Sequence, residues 1–151
     1  MAMNKTGKYP DSIYRLGTKA VIKDTEGRVL CVHDTGEEDM WSLPGGGLDH
    51  GDTVMSGLKR ELQEELDYTG EIKATYLDDC VYYSHAIGAF VLYLIFNVEL
   101  LDTYEPHAGV DAKEVKYLAA DDLVDYHDRQ AEIIKKYGFG QDIDIPMIKP
   151  L

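Results

Sequence analysis

Between Pro44 and Tyr68 the chain reads PGGGLDHGDTVMSGLKRELQEELDY, which places Glu61, Glu64 and Glu65 within one helical turn and a half and Gly45-Gly46-Gly47 just upstream. At about 100° per residue on a helix, the three glutamates fall within an arc of roughly 100°, beside the apolar positions Met55, Leu58, Leu62 and Leu66. Like charges at this spacing cost a helix about 0.2 to 0.5 kcal/mol per pair. Glu64, Glu65 and Asp67 also sit in the last turn, where the helix dipole disfavours anions. One reading is a solvated acidic face partly neutralised by Lys59 and Arg60. The other is a seat for a hard divalent cation, because Mg²⁺ and Mn²⁺ prefer carboxylate, carbonyl and water oxygens and turn that repulsion into coordination. A glycine loop supplies backbone carbonyls, unhindered by side chains, that can approach both the ion and its substrate; Gly46 and Gly47 are the substrate-facing candidates.

The elements that must position these groups follow from the pattern on either side. Thr18–Lys23 and Arg28–His33 are β-branched runs joined by Asp24-Thr25-Glu26-Gly27, the composition of a hairpin. Trp41-Ser42-Leu43 is cut off by Pro44, and no regular element is expected through the three glycines. The spacing predicts a helix over Thr53–Leu66, capped by Asp52 or Thr53. Glu71–Tyr83 and Gly88–Leu101 read as two long strands, the second apolar enough to be buried on both faces and both placed at the centre of a sheet. Asp102–Ala112 is a polar loop, Glu114–Ala119 a short strand, and Asp121–Tyr137 a second helix ended by Gly138. Strands before and after a central helix imply an α+β fold, a mixed sheet covered on its faces by helices, in a single domain spanning residues 1–151.

Composition excludes several classes. With 15 Lys+Arg against 28 Asp+Glu the formal charge is −13, the wrong sign for gripping a phosphate backbone, so polymeric nucleic acid is not an expected partner. An acidic protein can still handle a phosphorylated small molecule if a cation or a donor pocket screens the repulsion. The strongest apolar run, Ala89–Phe96, is far short of the roughly 18 to 20 residues that cross a bilayer, and the first residues lack the apolar core of a secretory signal. No membrane partner and a cytoplasmic location are the expectation. Cys31 and Cys80 lie in apolar strand segments without CxxC spacing and read as buried, reduced thiols.

The loop and helix together resemble the Nudix box, G-x5-E-x7-R-E-U-x-E-E-x-G-U with U a bulky apolar residue, aligned without gaps from Gly46 to Tyr68. Gly46, Arg60, Glu61, Leu62, Glu64 and Glu65 match, as does the Trp41-Ser42-Leu43-Pro44-Gly45 lead-in. Asp52 stands where the family has Glu, Asp67 where it has Gly, and Tyr68 replaces the aliphatic end. The resemblance implies an α/β/α sandwich that uses Mg²⁺ or Mn²⁺ to hydrolyse a nucleoside diphosphate linked to another group. It implies that Glu61, Glu64, Glu65 and the Gly45 carbonyl hold the metal, and that Arg60 orients Glu61. Asp52, one methylene short, is either a water-mediated metal contact or a helix cap. Asp67 need only accept the left-handed conformation that ends a helix.

By the same resemblance, the general base is Glu61 itself or an acid from the loop beyond the long strands, for which Asp111 and Glu114 are the candidates. His50, His85 and His107 lack spacing to a partner nucleophile and read as ordinary surface or loop residues. Trp41 and eleven tyrosines, Tyr82 and Tyr83 among them, offer flat surfaces for a base. Ser84 occupies the place of a proline that marks substrate in some subfamilies, so the substrate class stays at nucleoside triphosphates and nucleoside diphosphate derivatives. A binding module that senses a nucleotide without cleaving it, and an acidic adaptor with a merely charged helix, are the alternatives. Oligomeric state, a homodimer included, is left open.

Overall fold

The computed structural model describes residues 13–36 and 38–147. The N-terminal segment read for a signal and the tail from residue 148 lie outside them. Seven strands form two sheets. The first is four-stranded and mixed, in the order β4 (Gly45–Gly47), β1 (Tyr14–Val21), β6 (Ala89–Leu100), β5 (Ile72–Ser84), with β1 and β6 parallel. The second is antiparallel, in the order β3 (Trp41–Ser42), β2 (Val29–Asp34), β7 (Ala112–Leu118).

Alternate strand residues feed two separate cores, as burial of both faces requires. Val21, Val29, Cys31, Val91 and Ile95 pack with Leu123, Ile133 and Ile134 on one side. Ala20, Ile22, Leu30, Val32, Phe96 and Val98 pack on the other side against Leu58, Leu62 and Leu66 of α1 (Val54–Leu66). This is the expected α/β/α layering. The two free cysteines are buried, and burial pushes the Cys31 thiol up to about 12.

Four expectations are corrected, the last being that no regular element runs through the three glycines. The Asp24–Gly27 turn forms, but its strands meet at a single Lys23–Val29 bridge, closed by the Asp24 N–H to Arg28 carbonyl and Leu30 N–H to Ile22 carbonyl bonds, before entering different sheets. Only β6 of the long strands is central, and β5 lies at the edge. The segment Asp121–Tyr137 is not one helix. A 3₁₀ turn, Ala120–Leu123, is followed by α2 (Arg129–Ile133) and a π turn, Ile134–Gly138. The reason is local: the Asp122 carboxylate accepts the Ala119 N–H, and the Asp128 carboxylate accepts the Ala131 N–H, so each acid starts a new element.

The glycine run carries a strand that hydropathy did not signal. β4 pairs with β1 in the register Gly17–Gly47, Thr18–Gly46 and Lys19–Gly45. Gly45 has φ of 137°, and a Cβ there would stand 2.0 Å from the Thr18 carbonyl oxygen. Glycine is therefore required for the strands to meet.

Candidate active site

α1 begins at Thr53, whose hydroxyl accepts the Ser56 N–H at 3.0 Å while Ser56 Oγ accepts the Thr53 N–H at 2.9 Å, a reciprocal capping box. The cap is thus Thr53 and not Asp52. The Asp52 carboxylate instead accepts the Asp49 N–H at 2.8 Å and the Arg60 guanidinium at 2.9 Å, which hold its carboxyl below the usual range.

The other end of α1 is where helix physics disfavours the acids, and every carbonyl of the last turn has a donor. Asp67, left-handed at φ 53°, donates its N–H to Gln63, and Tyr68 donates to Leu62. The loop between β6 and β7 supplies the remainder: Gly109 N–H to the Glu65 carbonyl at 2.8 Å, Asp111 N–H to Glu64 at 2.9 Å, and the Tyr104 hydroxyl to Leu66 at 2.9 Å. The partial negative charge of the helix end is thereby offset by donors before any ion is considered.

Arg60 organises the outer acids. Its Nη1 lies 3.1 Å from Glu61 and 3.3 Å from Glu64, and its Nη2 lies 2.9 Å from Asp52 and 3.1 Å from the Gly47 carbonyl. The hydrogen bond it donates to Asp52 and the neighbouring carboxylates raise the guanidinium pKa, so its charge is permanent. The arginine joins helix to glycine strand as well as pairing with Glu61.

Glu61 and Glu65 face the glycine backbone directly. A Cβ on Gly46 would stand 2.7 Å from the Glu61 carboxylate, so the bare glycine is the space in which that group sits. Glu65 Oε1 accepts the Gly45 N–H at 2.7 Å. Burial pushes the Glu65 carboxyl up to about 7, against the opposing pull of the Lys19 charge and the Gly45 N–H. Burial also raises Glu61, offset in part by Arg60.

Glu64 is turned elsewhere. It lines an open cavity of about 500 Å³ with Arg60, Gln63, Asp67, Gly109 and Val110. Glu65, Gly45 and Gly46 line a different cavity, about 260 Å³, with Lys19, Asp34, Met40, Tyr93 and Gln130. That cavity shares Met40 and Gln130 with a third of about 390 Å³, lined also by Tyr82, Tyr83, Ser84, His85 and Arg129. The Arg129 guanidinium lies 5.5 Å from the Tyr82 ring centroid.

The remaining sequence candidates are spread out. Asp111 contributes its backbone N–H to the helix end, and the exposed Glu114 lies on β7, ion-paired with Lys116 at 3.4 Å. His107 pairs with Asp67 at 3.1 Å, a local tie at the helix end. His85 stacks edge-on to Tyr83 at the mouth of the third cavity. Lys19 and Gln130 were not singled out from sequence. A lysine inside the apolar run Thr18–Ile22 was the available signal for the first, and Gln130 had none.

The acceptors near Gly45 fit a hard divalent cation in kind, since two glutamates border the Gly45-Gly46 backbone, although the Lys19 ammonium also reaches the Gly45 carbonyl at 3.4 Å. They are not gathered for one in advance. Among the described residues no group of three or more His, Cys, Asp or Glu side chains converges on a common ion position. Arg60 draws Glu61 and Glu64 outward while the Gly45 N–H holds Glu65.

The two-core α/β/α sandwich is the arrangement the box resemblance implied, and the glycine strand facing α1 is an addition to it. The NUDIX domain family model matches residues 13–137, and the chain belongs to that family. The chain is 34% identical over 53 residues to an RNA pyrophosphohydrolase of Saccharophagus degradans, covering 35% of this chain and 31% of that protein. It is 37% identical over 88 residues to the nucleoside triphosphatase NudI of an Enterobacter species, covering 51% of this chain and 62% of that one. The matched segments thus span less than two thirds of either relative. Among solved structures, a MutT NUDIX hydrolase from Burkholderia pseudomallei superposes with a TM-score of 0.68 at 24% identity, over 87% of this chain and all of the other, a likeness of fold. Among the described residues no helix is long and apolar enough to cross a membrane.

Proposed function

We propose that this chain is a metal-dependent pyrophosphohydrolase that cleaves a nucleoside diphosphate linked to another moiety, either a nucleoside triphosphate or a nucleotide derivative. The observation that carries the reading is the placement of Glu61 and Glu65 against the Gly45-Gly46 backbone in a chain of the NUDIX family. The names of the two relatives, one a pyrophosphohydrolase and one a nucleoside triphosphatase, support it.

Glu61, Glu65 and the Gly45 carbonyl would hold Mg²⁺ or Mn²⁺, and Glu64 would join them only by leaving Arg60 and the cavity it lines. The ion supplies charge neutralisation at the phosphates and acidification of an attacking water. The protein's own groups do the remaining work. Arg60 fixes the distance between helix and glycine strand and aims Glu61. Gly46 and Gly47 leave room for the Glu61 carboxylate and the Arg15 guanidinium against the backbone, the edge at which substrate phosphates would bind. Glu61, set against the glycine strand, is the candidate base, with Asp111 and Glu114, whose contacts lie at the helix end and on β7, as the alternatives. Tyr83, partly exposed, offers a ring face for a nucleoside beyond Gln130, whereas Tyr82 is core with Arg129 over its ring.

The test is a nucleotide panel assayed with Mg²⁺. Wild-type protein should release products from at least one nucleoside triphosphate or diphosphate derivative. Glu65→Gln should lose most turnover, by about 10² or more, while remaining folded. Full activity in that variant overturns the assignment. Nucleotide affinity that ignores EDTA, with no product from any compound, favours the binding-module alternative instead.

A further inference from the structure

Lys19 is only 5% exposed, at the centre of β1, yet its ammonium is not spent on an ion pair. Arg60 takes Asp52, Glu61 and Glu64 as partners, whereas among the described residues no carboxylate is ion-paired with Lys19. Its Nζ donates to the Leu43 carbonyl at 3.2 Å and the Gly45 carbonyl at 3.4 Å, and lies 5.1 Å from the Tyr93 ring centroid. An ammonium has three N–H donors, and these two carbonyls account for two of them.

A buried charge of this kind is costly unless a counter-charge or further hydrogen bonds complete its shell. Lys19 lines the cavity of about 260 Å³ that also holds Gly45, Gly46 and Glu65, and among the described residues it is the only cationic one in that lining. In a chain of formal charge −13, a diphosphate entering this cavity meets Asp34 and Glu65, and one fixed positive group.

We infer that Lys19 is a substrate-binding residue whose third N–H takes a non-bridging oxygen of the substrate's diphosphate, on the β1 side of the glycine strand opposite α1. The inference rests on the hydrolase reading and adds to it a phosphate contact outside the Gly46–Tyr68 segment. Two consequences separate this role from that of a strut for the Leu43–Gly45 backbone. A strut would, when removed, weaken metal and diphosphate binding together. A phosphate ligand affects the diphosphate alone and appears as a raised KM at little changed kcat.

The test uses methylenediphosphonate, whose bridging carbon resists hydrolysis, so that binding is read without turnover. By titration calorimetry with the full chain, Lys19→Met should bind the probe at least tenfold more weakly in saturating Mg²⁺, with its Kd for Mg²⁺ alone within twofold of wild type. Lys19→Arg should recover most of the affinity. Unchanged probe affinity in Lys19→Met, or parallel losses for Mg²⁺ and probe, overturns the inference. Should Lys19→Met fail to fold, the Lys19 Nζ resonance of ¹⁵N-labelled wild-type protein decides: it should shift on saturation with the probe, and an unmoved resonance overturns the inference. Catalysis is judged apart, because Glu65→Gln acts on kcat in the nucleotide panel. Probe binding through Lys19 with no turnover of any nucleotide would sink the hydrolase reading and leave the phosphate contact standing.

Discussion

The Glu65 carboxylate accepts the backbone N–H of Gly45 at 2.7 Å, joining the last turn of α1 to the first residue of the glycine strand. One carboxyl oxygen is thereby fixed beside the Gly45 carbonyl's own peptide chain, in a place dry enough that burial pushes its pKa to about 7. The bond positions the group and favours its ionised form, whereas burial makes that form costly without a cation.

That cost sets a pH dependence. A carboxyl whose folded pKa lies above its ordinary 4.5 binds its proton more tightly folded than unfolded, so stability falls as pH rises from about 4.5 through about 7. In EDTA, Glu65→Gln should escape this loss. It should match wild type near pH 4 and exceed it at pH 8 by up to about 3 kcal/mol, checked by urea unfolding across the range. Equal stabilities at both pH values would show that Glu65 is not desolvated.

Arg60 holds Asp52, Glu61, Glu64 and the Gly47 carbonyl at once. Arg60→Met leaves three partly buried carboxylates facing one another and should cost about 2 kcal/mol in metal-free protein. Arg60→Lys should recover only part, because a point charge cannot span four acceptors. Denaturation midpoints of the three proteins measure this, and a neutral Arg60→Met would reduce the network to surface decoration.

Gly109 approaches the helix end so closely that a Cβ would stand 2.4 Å from the Glu64 carbonyl oxygen. Gly109→Ala should push the loop away, release the Glu64 and Glu65 carbonyls, and cost about 1 to 3 kcal/mol. Hydrogen exchange at the Gly109 and Asp111 amides should accelerate markedly. Wild-type protection in the variant would contradict the capping account.

The chemistry-bearing part of this fold was legible because side-chain period and spacing carry it. Leu58, Leu62 and Leu66 define the buried face of α1, and Glu61, Glu64 and Glu65 must then lie beside it. Asp67 as a left-handed terminator follows from the resemblance, which has Gly at that place, together with the tolerance of Asp for that conformation. Other features escaped for stated physical reasons. β4 has no side chains, so its pairing with β1 is written only in the close approach that glycine permits. The break within 121–137 depends on two aspartates capping short elements, a competition that apolar periodicity does not register. The separation of Glu64 from Glu65 into different cavities depends on Arg60 and on the loop carrying Gly109, which packs in from far along the chain. Lys19 was hidden for the opposite reason: one charge in an apolar strand carries no period.

The central claim is that Glu61 and Glu65, set against the Gly45-Gly46 backbone, receive a divalent cation. Crystals soaked in Mn²⁺ and measured at an energy where manganese scatters anomalously would locate it directly. The account predicts an anomalous peak bounded by Glu61, Glu65 and the Gly45 carbonyl, with Glu61 drawn from Arg60 toward the ion. Saturating Mn²⁺ with no peak at that position, and Glu61 still paired to Arg60, would contradict it.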